Sequence, residues 1–390
     1  MTFRTELGED MGGGRKMIVA GGGTGGHLFP GIAIAEEFLG RDPANRVLFV
    51  GTERGLEKRV LSQMGYTLET LDVEGVKGRG LAQKFGALAK IPRSLAQSRR
   101  ILRQFGPDVV VGVGGYASGP AVLMAHWMGL PTAIAEQNAI PGATNRILAR
   151  FADRIFLTFA DARGEFPPAK IRVTGNPVRA AFAAAGEAVR ETGGAAAGSR
   201  QDGGTGDAAM ERPFTLLIFG GSQGAHAINR TVMEAVSAWR DLAGLNIIHQ
   251  TGPADLEAVR QAYRDAGREA DIRPFIMDMA AVAAAADLIV CRAGATSIAE
   301  ITAMGKAAIL IPFPYAIADH QTRNAEVLAR SGAAELIPER DLTAARLAAA
   351  VRRYVNDPAA LREMAARSAA LGNTRAARDI VDACLALMQT

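Results

Sequence analysis

The pattern that most restricts this chain occurs twice. At 17–27 the sequence reads MIVAGGGTGGH, and at 216–226 it reads LLIFGGSQGAH. Each is an apolar run, then glycines, a hydroxyl residue, a further glycine and a histidine. The first is followed by a helix-like stretch, 31–39. A glycine-rich turn between strand and helix lets backbone approach a phosphate, and a restart of the pattern points to two similar units in tandem. Short apolar runs at 46–50, 109–113, 131–135, 155–158 and 171–174 follow the first opening, and runs at 246–249, 287–291 and 307–311 follow the second. Alanine-rich amphipathic stretches lie between most of them. Continuous apolar strands separated by helices predict parallel sheets covered on both faces. The expected fold class is α/β, two Rossmann-like doubly wound domains facing an interdomain cleft.

At 390 residues the chain can hold two ordinary cores, and 48% hydrophobic with 22% charged residues describes a folded globular protein. Cys291 and Cys384 lie far apart, which excludes a disulfide framework or a cysteine zinc site and suits a reducing compartment. The first residues carry Glu6, Glu9 and Asp10 with no apolar core, so no signal peptide is expected, and no run is long enough to span a bilayer. The expected organisation is an extension at 1–15, an N-terminal domain at 16–180, a linker and insertion at 181–213, and a C-terminal domain at 214–355. Helices at 356–390 are expected to return to the first domain. The stretch 186–212 is glycine- and alanine-rich without an aromatic residue, and reads as a flexible insertion.

Formal charge is +4, with no feature that points to nucleic acid. Between Glu74 and Asp108, however, stand Lys77, Arg79, Lys84, Lys90, Arg93, Arg99, Arg100 and Arg103 and no acid, interleaved with Leu81, Phe85, Leu88, Ile91 and Leu95. Such a segment suits either a solvated helix face or a surface lying on anionic lipid headgroups.

The first turn fits G-x-G-x-x-G, but Glu53 comes late for the acid that a dinucleotide site needs after its second strand. It also fits the glycines of a P-loop, with His27 and Leu28 in place of the lysine and the Ser/Thr. Four more polar-glycine clusters follow strand candidates: GVGGYASGP at 112–120, AEQNAIPG at 135–142, GNPVR at 175–179 and CRAGATSIAE at 291–300. In the last, Ala293 to Thr296 make a small-residue turn that suits a diphosphate, and Glu300 suits ribose hydroxyls. DHQTRNA at 319–325 offers His320, Gln321 and Asn324 for sugar hydroxyls. No D-x-D pair occurs, so leaving-group charge is expected to fall to helix N-termini and Arg179, with no metal and no cofactor.

These motifs, in this order and spacing, resemble those of the MurG glycosyltransferases of family 28 from about residue 16 onward, apart from the 186–212 stretch. The resemblance implies the two-domain GT-B fold and inverting transfer of N-acetylglucosamine from UDP-GlcNAc to the MurNAc C4 hydroxyl of undecaprenyl-pyrophosphoryl-MurNAc-pentapeptide (lipid I), giving lipid II for peptidoglycan. It also implies peripheral attachment at the cytoplasmic face of the inner membrane, with an anionic membrane surface and cell-wall or division complex proteins as partners. Carried over position by position, Thr24, Gly25 and Gly26 lie near the transferred sugar and acceptor diphosphate. Asn138 and Arg179 contact the donor, Ser222 the UDP phosphates, and the backbone of Ile276 the uracil. Ala295, Thr296, Ser297, Ile298, Ala299 and Glu300 hold phosphate and ribose, and Gln321 and Asn324 the sugar. Some members have Gln-Gln where this chain has His320-Gln321, so His320 receives no role.

The reaction needs a base. His27 is the candidate, with diphosphate binding and helix capping as its other uses, and Glu136 is the rival base. Ordinary alternatives are an ion pair at the hinge for Arg179, a pair with Lys306 for Glu300, and packing for Tyr116 and Phe313. His126 and His249 receive no role, and Cys291 reads as a buried, inert thiol. A UDP-GlcNAc 2-epimerase is the alternative enzyme on this architecture, and a nucleotide-sugar-sensing scaffold the non-enzymatic one.

Overall fold

The computed structural model describes residues 13–23, 25–52, 56–73, 90–161, 164–191, 212–221, 224–316 and 319–389. Thr24, Ser222, residues 74–89 of the basic segment and residues 192–211 of the expected insertion lie outside the described residues.

Two parallel sheets organise the chain. The first has strands β1 (Lys16–Gly21), β2 (Arg46–Thr52), β3 (Leu68–Leu71), β4 (Val109–Gly114), β5 (Thr132–Glu136), β6 (Arg154–Leu157) and β7 (Ile171–Val173) in the order β3-β2-β1-β4-β5-β6-β7. The second has β8 (Phe214–Phe219), β9 (Leu245–Gln250), β10 (Asp271–Arg273), β11 (Leu288–Cys291), β12 (Ala307–Leu310) and β13 (Glu335–Leu336) in the order β10-β9-β8-β11-β12-β13. All ten sequence-predicted strands are present. The three that the sequence did not announce, β3, β10 and β13, are short edge strands only partly buried, without the continuous apolar run that marks a strand covered on both faces.

Helices cover both faces of each sheet. Around the first lie α1 (Gly25–Arg41), α2 (Leu56–Gln63), α3 (Ile91–Phe105), α4 (Ser118–Trp127) and α5 (Ala143–Leu148). Then come α6 (Ala180–Glu191), α7 (His226–Ala235), α8 (Leu256–Asp265), α9 (Met279–Ala285), α10 (Ala295–Ala303), α11 (His320–Arg330), α12 (Ala344–Asn356), α13 (Pro358–Leu371) and α14 (Ala376–Leu387). One face of the first sheet buries Ile32, Ile34 and Phe38 of α1 together with Ile380, Val381 and Cys384 of α14, so the C-terminal helix packs on the first lobe. The other face buries Ile101 and Leu102 of α3 and Val122 of α4. The second sheet has its own two cores, one built around Trp239 and Tyr263 and the other including Phe182 of α6.

The expected start of the insertion at 186 is corrected by α6, which continues to Glu191. A Cβ on Gly186 would lie 2.1 Å from the Ala303 carbonyl oxygen. Glycine there marks close contact between α6 and α10, which composition alone disguises as linker. Cys291 and Cys384 are fully buried, and burial pushes both thiols up, Cys384 to about 12. That agrees with the inert role expected of Cys291.

Candidate active site

In each sheet the strand order reverses beside the strand that carries the glycine turn, between β1 and β4 and between β8 and β11. Ligands of doubly wound sheets bind at such switch points, outside the carboxyl ends of the strands. The two switch points face one crevice. The Thr296 hydroxyl at the start of α10 donates to the Gly26 carbonyl at the start of α1 at 3.3 Å, so helix N-termini from the two lobes meet within one hydrogen bond.

The first turn is compressed between neighbours. The Gly22 N–H donates to the Gly114 carbonyl at 3.3 Å, and a Cβ on Gly115 would lie 2.4 Å from the Gly22 carbonyl oxygen. A Cβ on Gly114 would lie 2.7 Å from His27 Nδ1, so the GVGG loop needs its glycines to let the imidazole in. His27 is half-buried in the first turn of α1, and its Nδ1 lies 3.0 Å from Gln137 Oε1. The Gln137 amide is itself oriented. Its Nε2 donates to the Ala135 carbonyl at 3.1 Å, and a carbonyl only accepts. The oxygen of Gln137 therefore faces the ring, His27 Nδ1–H donates to it, and the other ring nitrogen carries the lone pair.

Glu136 lies at the end of β5 and is 3% exposed. Its Oε1 accepts from the backbone N–H of Asn138 at 3.0 Å and from Asn138 Nδ2 at 3.3 Å. Its Oε2 accepts from the Gly142 N–H and from Asn145 Nδ2, both at 2.9 Å. Four donors on one carboxylate describe a clamp on the 137–142 loop.

The loop it holds reaches the other lobe. The Ala139 N–H donates to Asn324 Oδ1 at 3.0 Å, and Asn324 Nδ2 donates to Asn138 Oδ1 at 3.3 Å. Asn324 is fully buried in this contact, so in this conformation it joins the lobes. Gln321 Oε1 accepts the Phe313 N–H at 3.0 Å, which directs the amide nitrogen away from that bond.

In the second lobe Gly294 precedes α10 without a side-chain cap, so the first amides of the helix are not covered by a capping side chain. Ala295, Thr296, Ile298 and Glu300 are buried, and Ser297 and Ala299 half-buried. The Ile276 side chain is buried, and its N–H donates to Gln250 Oε1 at 3.4 Å while Gln250 Nε2 donates to the Gly221 carbonyl at 2.7 Å. Gln250 thus ties the second glycine turn to the Ile276 segment. The sequence reading missed it, as it missed Gln137. The signal for Gln137 was its place between Glu136 and Asn138; Gln250 offered only its position at a strand end.

Arg179 and Glu300 meet. Arg179 Nε and Nη2 both donate to Glu300 Oε1, at 3.0 and 2.7 Å. The guanidinium lies 4.5 Å from the rings of Phe29 and Phe182, one from each lobe. The pair joins the hinge segment to α10. Burial raises the Glu300 carboxyl above its ordinary value, and the attraction and hydrogen bonds of Arg179 only partly offset it. Lys306, the other partner considered for Glu300, instead donates to the carbonyls of Ala284 and Ala286, and burial lowers its pKa to about 8.

The packing role expected of Tyr116 and Phe313 needs correction. Tyr116 and Phe313 are 48% and 39% exposed and do not serve the core; Phe313 stacks edge-on with Tyr315 and lies under Arg292. His249 is buried, bonded to Asn229 and near the Tyr263 hydroxyl, and burial lowers its pKa to about 3. In the basic segment, Lys90 and Arg93 both pair with Asp72, at 3.0 and 3.6 Å, whereas Arg99, Arg100 and Arg103 are exposed. Ile91 and, on the neighbouring α4, Trp127 are 45% and 59% exposed. Among the described residues no helix is long and apolar enough to cross a membrane.

Comparison with known proteins agrees with this arrangement. Residues 17–157 match the glycosyltransferase family 28 N-terminal domain, and residues 215–382 match the glycosyltransferase family 28 C-terminal domain. A protein of Syntrophus aciditrophicus named UDP-N-acetylglucosamine--N-acetylmuramyl-(pentapeptide) pyrophosphoryl-undecaprenol N-acetylglucosamine transferase is 57% identical, with 96% of this chain and 99% of that protein covered. A Myxococcus xanthus protein of the same name is 46% identical, with 96% and 93% covered. The crystal structure of Acinetobacter baumannii MurG superposes with a TM-score of 0.73 at 32% identity, covering 95% of this chain and 99% of that one. A UDP-GlcNAc 2-epimerase from Neisseria meningitidis superposes with a TM-score of 0.63 at 15% identity over 95% of this chain and 100% of that one, a likeness of fold alone. Two family 28 domains, covered nearly end to end by such relatives and folded as two Rossmann-like lobes about one crevice, place this chain in the MurG glycosyltransferases of family 28.

Proposed function

We propose that the chain transfers N-acetylglucosamine from UDP-GlcNAc to the C4 hydroxyl of the MurNAc in undecaprenyl-pyrophosphoryl-MurNAc-pentapeptide, with inversion. The observation that carries this reading is the convergence of α1 and α10 on one crevice, with a histidine at the first N-terminus and a carboxylate near the second. The donor lies on the second lobe. Its diphosphate takes the first amides of α10 and the turn containing Ser222, its uracil the Ile276 backbone, and its ribose Glu300. Both Arg179 bonds go to Glu300 Oε1, so Oε2 is the oxygen that receives the ribose hydroxyls.

The acceptor diphosphate lies at the start of α1 and brings the sugar hydroxyl toward His27. The hydroxyl oxygen attacks the anomeric carbon, the bond from that carbon to the UDP oxygen breaks, and UDP departs with the bonding pair. The hydroxyl proton passes to the His27 nitrogen that faces away from Gln137. Helix N-termini and Arg179 stabilise the charge that develops on UDP. Glu136 acts indirectly, by holding the loop that carries Gln137 and Asn138.

The membrane-facing surface, in this reading, comprises α3 and the end of α4, where Ile91 and Trp127 stand beside exposed arginines. This suits a peripheral enzyme with a lipid-linked acceptor. Transfer of labelled GlcNAc to purified lipid I tests the assignment, and incubation with UDP-GlcNAc alone is the control. Labelled lipid II is expected only in the first; an isomerised donor in the second would identify an epimerase.

A further inference from the structure

Glu57 lies in the first turn of α2, just beyond the end of β2, and is 1% exposed. Its carboxylate is turned toward the first glycine turn. Glu57 Oε1 accepts the backbone N–H of Gly23 and lies 3.5 Å from the Thr52 hydroxyl. A Cβ on Gly22 would lie 2.2 Å from that same oxygen, so a side chain at 22 would displace the carboxylate from the turn. Glu57 Oε2 is buried with no hydrogen-bond partner among the described residues. Burying a carboxylate in this way is unfavourable, and the one bond it makes to the turn is a charge-assisted bond of the stronger kind.

The turn has two walls. On one side the Gly114–Gly115 backbone presses against Gly22 and leaves the gap that admits His27. On the other stands Glu57. Gly21, Gly22 and Gly23 have φ of 150°, 137° and 90°, a conformation that a three-glycine run would not hold without outside contacts. The second lobe solves the same problem differently. There the neutral Gln250, at the end of the strand corresponding to β2, donates to the Gly221 carbonyl.

We propose that Glu57 is a positioning residue for the acceptor side of the reaction: it pins the Gly23 N–H, and with it the turn from which α1 and His27 start. This rests on the reading that the first lobe takes the lipid-linked acceptor. The role requires an acceptor oxygen at the Gly23 N–H and does not require a negative charge.

The experiment compares Glu57→Ala and Glu57→Gln in the full chain by steady-state kinetics with each substrate varied, alongside calorimetric UDP binding. Glu57→Ala is expected to lower kcat/KM for the lipid acceptor about 10- to 100-fold, with UDP affinity and the KM for UDP-GlcNAc unchanged. Glu57→Gln, which keeps an oxygen for Gly23, is expected to stay within about threefold of the natural enzyme. The proposal is overturned by a Glu57→Ala enzyme with normal acceptor kinetics, by equal damage in the two variants, or by parallel loss of UDP binding. If the natural enzyme transfers nothing to lipid I, the functional reading itself has failed, which is a separate result.

Discussion

Gln137→Glu offers a direct test of His27 as the base. The substitution keeps the shape of the side chain and puts a carboxylate where the amide oxygen lies 3.0 Å from His27 Nδ1. Two opposite charges about 4 Å apart at an effective dielectric constant of about 20 attract by about 4 kcal/mol. Desolvation takes part of this back, because Gln137 is 1% exposed, and the Ala135 carbonyl loses its amide donor. A net preference for the imidazolium of about one to two pH units remains, in line with ion pairs at such distances. A base must be neutral to accept a proton, so the acid limb of kcat/KM for lipid I should move to higher pH by that amount, while the plateau above it is largely retained. Gln137→Met is the complementary change. It removes the oxygen that fixes which ring nitrogen bears the hydrogen, and should lower the plateau about tenfold or more without an upward shift of the limb. The assay is a pH–rate profile with lipid I varied and UDP-GlcNAc saturating. An acid limb that stays in place in folded Gln137→Glu, together with near-normal turnover in His27→Ala, would refute the assignment.

Other outcomes follow from the same geometry. Glu300→Ala should weaken UDP-GlcNAc binding about 10- to 100-fold through loss of the ribose contacts, measured by calorimetry. In the natural enzyme the ionised carboxylate is the form that accepts those hydroxyls, and burial raises its pKa, so donor affinity should fall with decreasing pH earlier than an ordinary carboxylate would cause. Lys306 titrates near 8 when folded against 10.5 ordinarily. Between those values the unfolded chain holds a proton that the folded chain lacks, so unfolding free energy should rise with pH across that window by on the order of 3 kcal/mol. Denaturant titrations should find that slope reduced in Lys306→Met. Replacing Arg99, Arg100 and Arg103 together by glutamine should reduce binding to anionic vesicles about 100-fold in a sedimentation assay, whereas Lys90 and Arg93, already paired with Asp72, should matter less.

The parts legible in the sequence are those written locally. A strand covered on both faces must be apolar throughout, so β1, β4, β8 and β11 announce themselves, and glycine turns after β1 and β8 mark the switch points. Edge strands such as β10, Asp271–Arg273, carry no such mark. Gly186 reads as linker until α10 is seen against it, since closeness between helices leaves only a small residue as its trace. Pairings across the chain are less legible still. Arg179 and Glu300 are 121 residues apart; the sequence offers Arg179 an ion pair at the hinge and Glu300 a lysine, and neither motif mentions the other.

His27 shows why a residue's identity and its chemical role are fixed at different levels. The motif GGTGGH places an imidazole at a helix start, where proton transfer, phosphate binding and capping are all open to it. The choice between them depends on which ring nitrogen bears the hydrogen, and that is decided by Gln137, 110 residues away. Gln137 in turn is oriented by the Ala135 carbonyl, a group common to every peptide unit and invisible as a motif. Because that carbonyl can only accept, donation runs in one direction, from His27 to Gln137 and from Gln137 to Ala135, and leaves the lone pair on the other ring nitrogen. A glutamate at 137 would preserve the contact and favour the charged ring, so the amide is what separates a base from a fixed cation at this position.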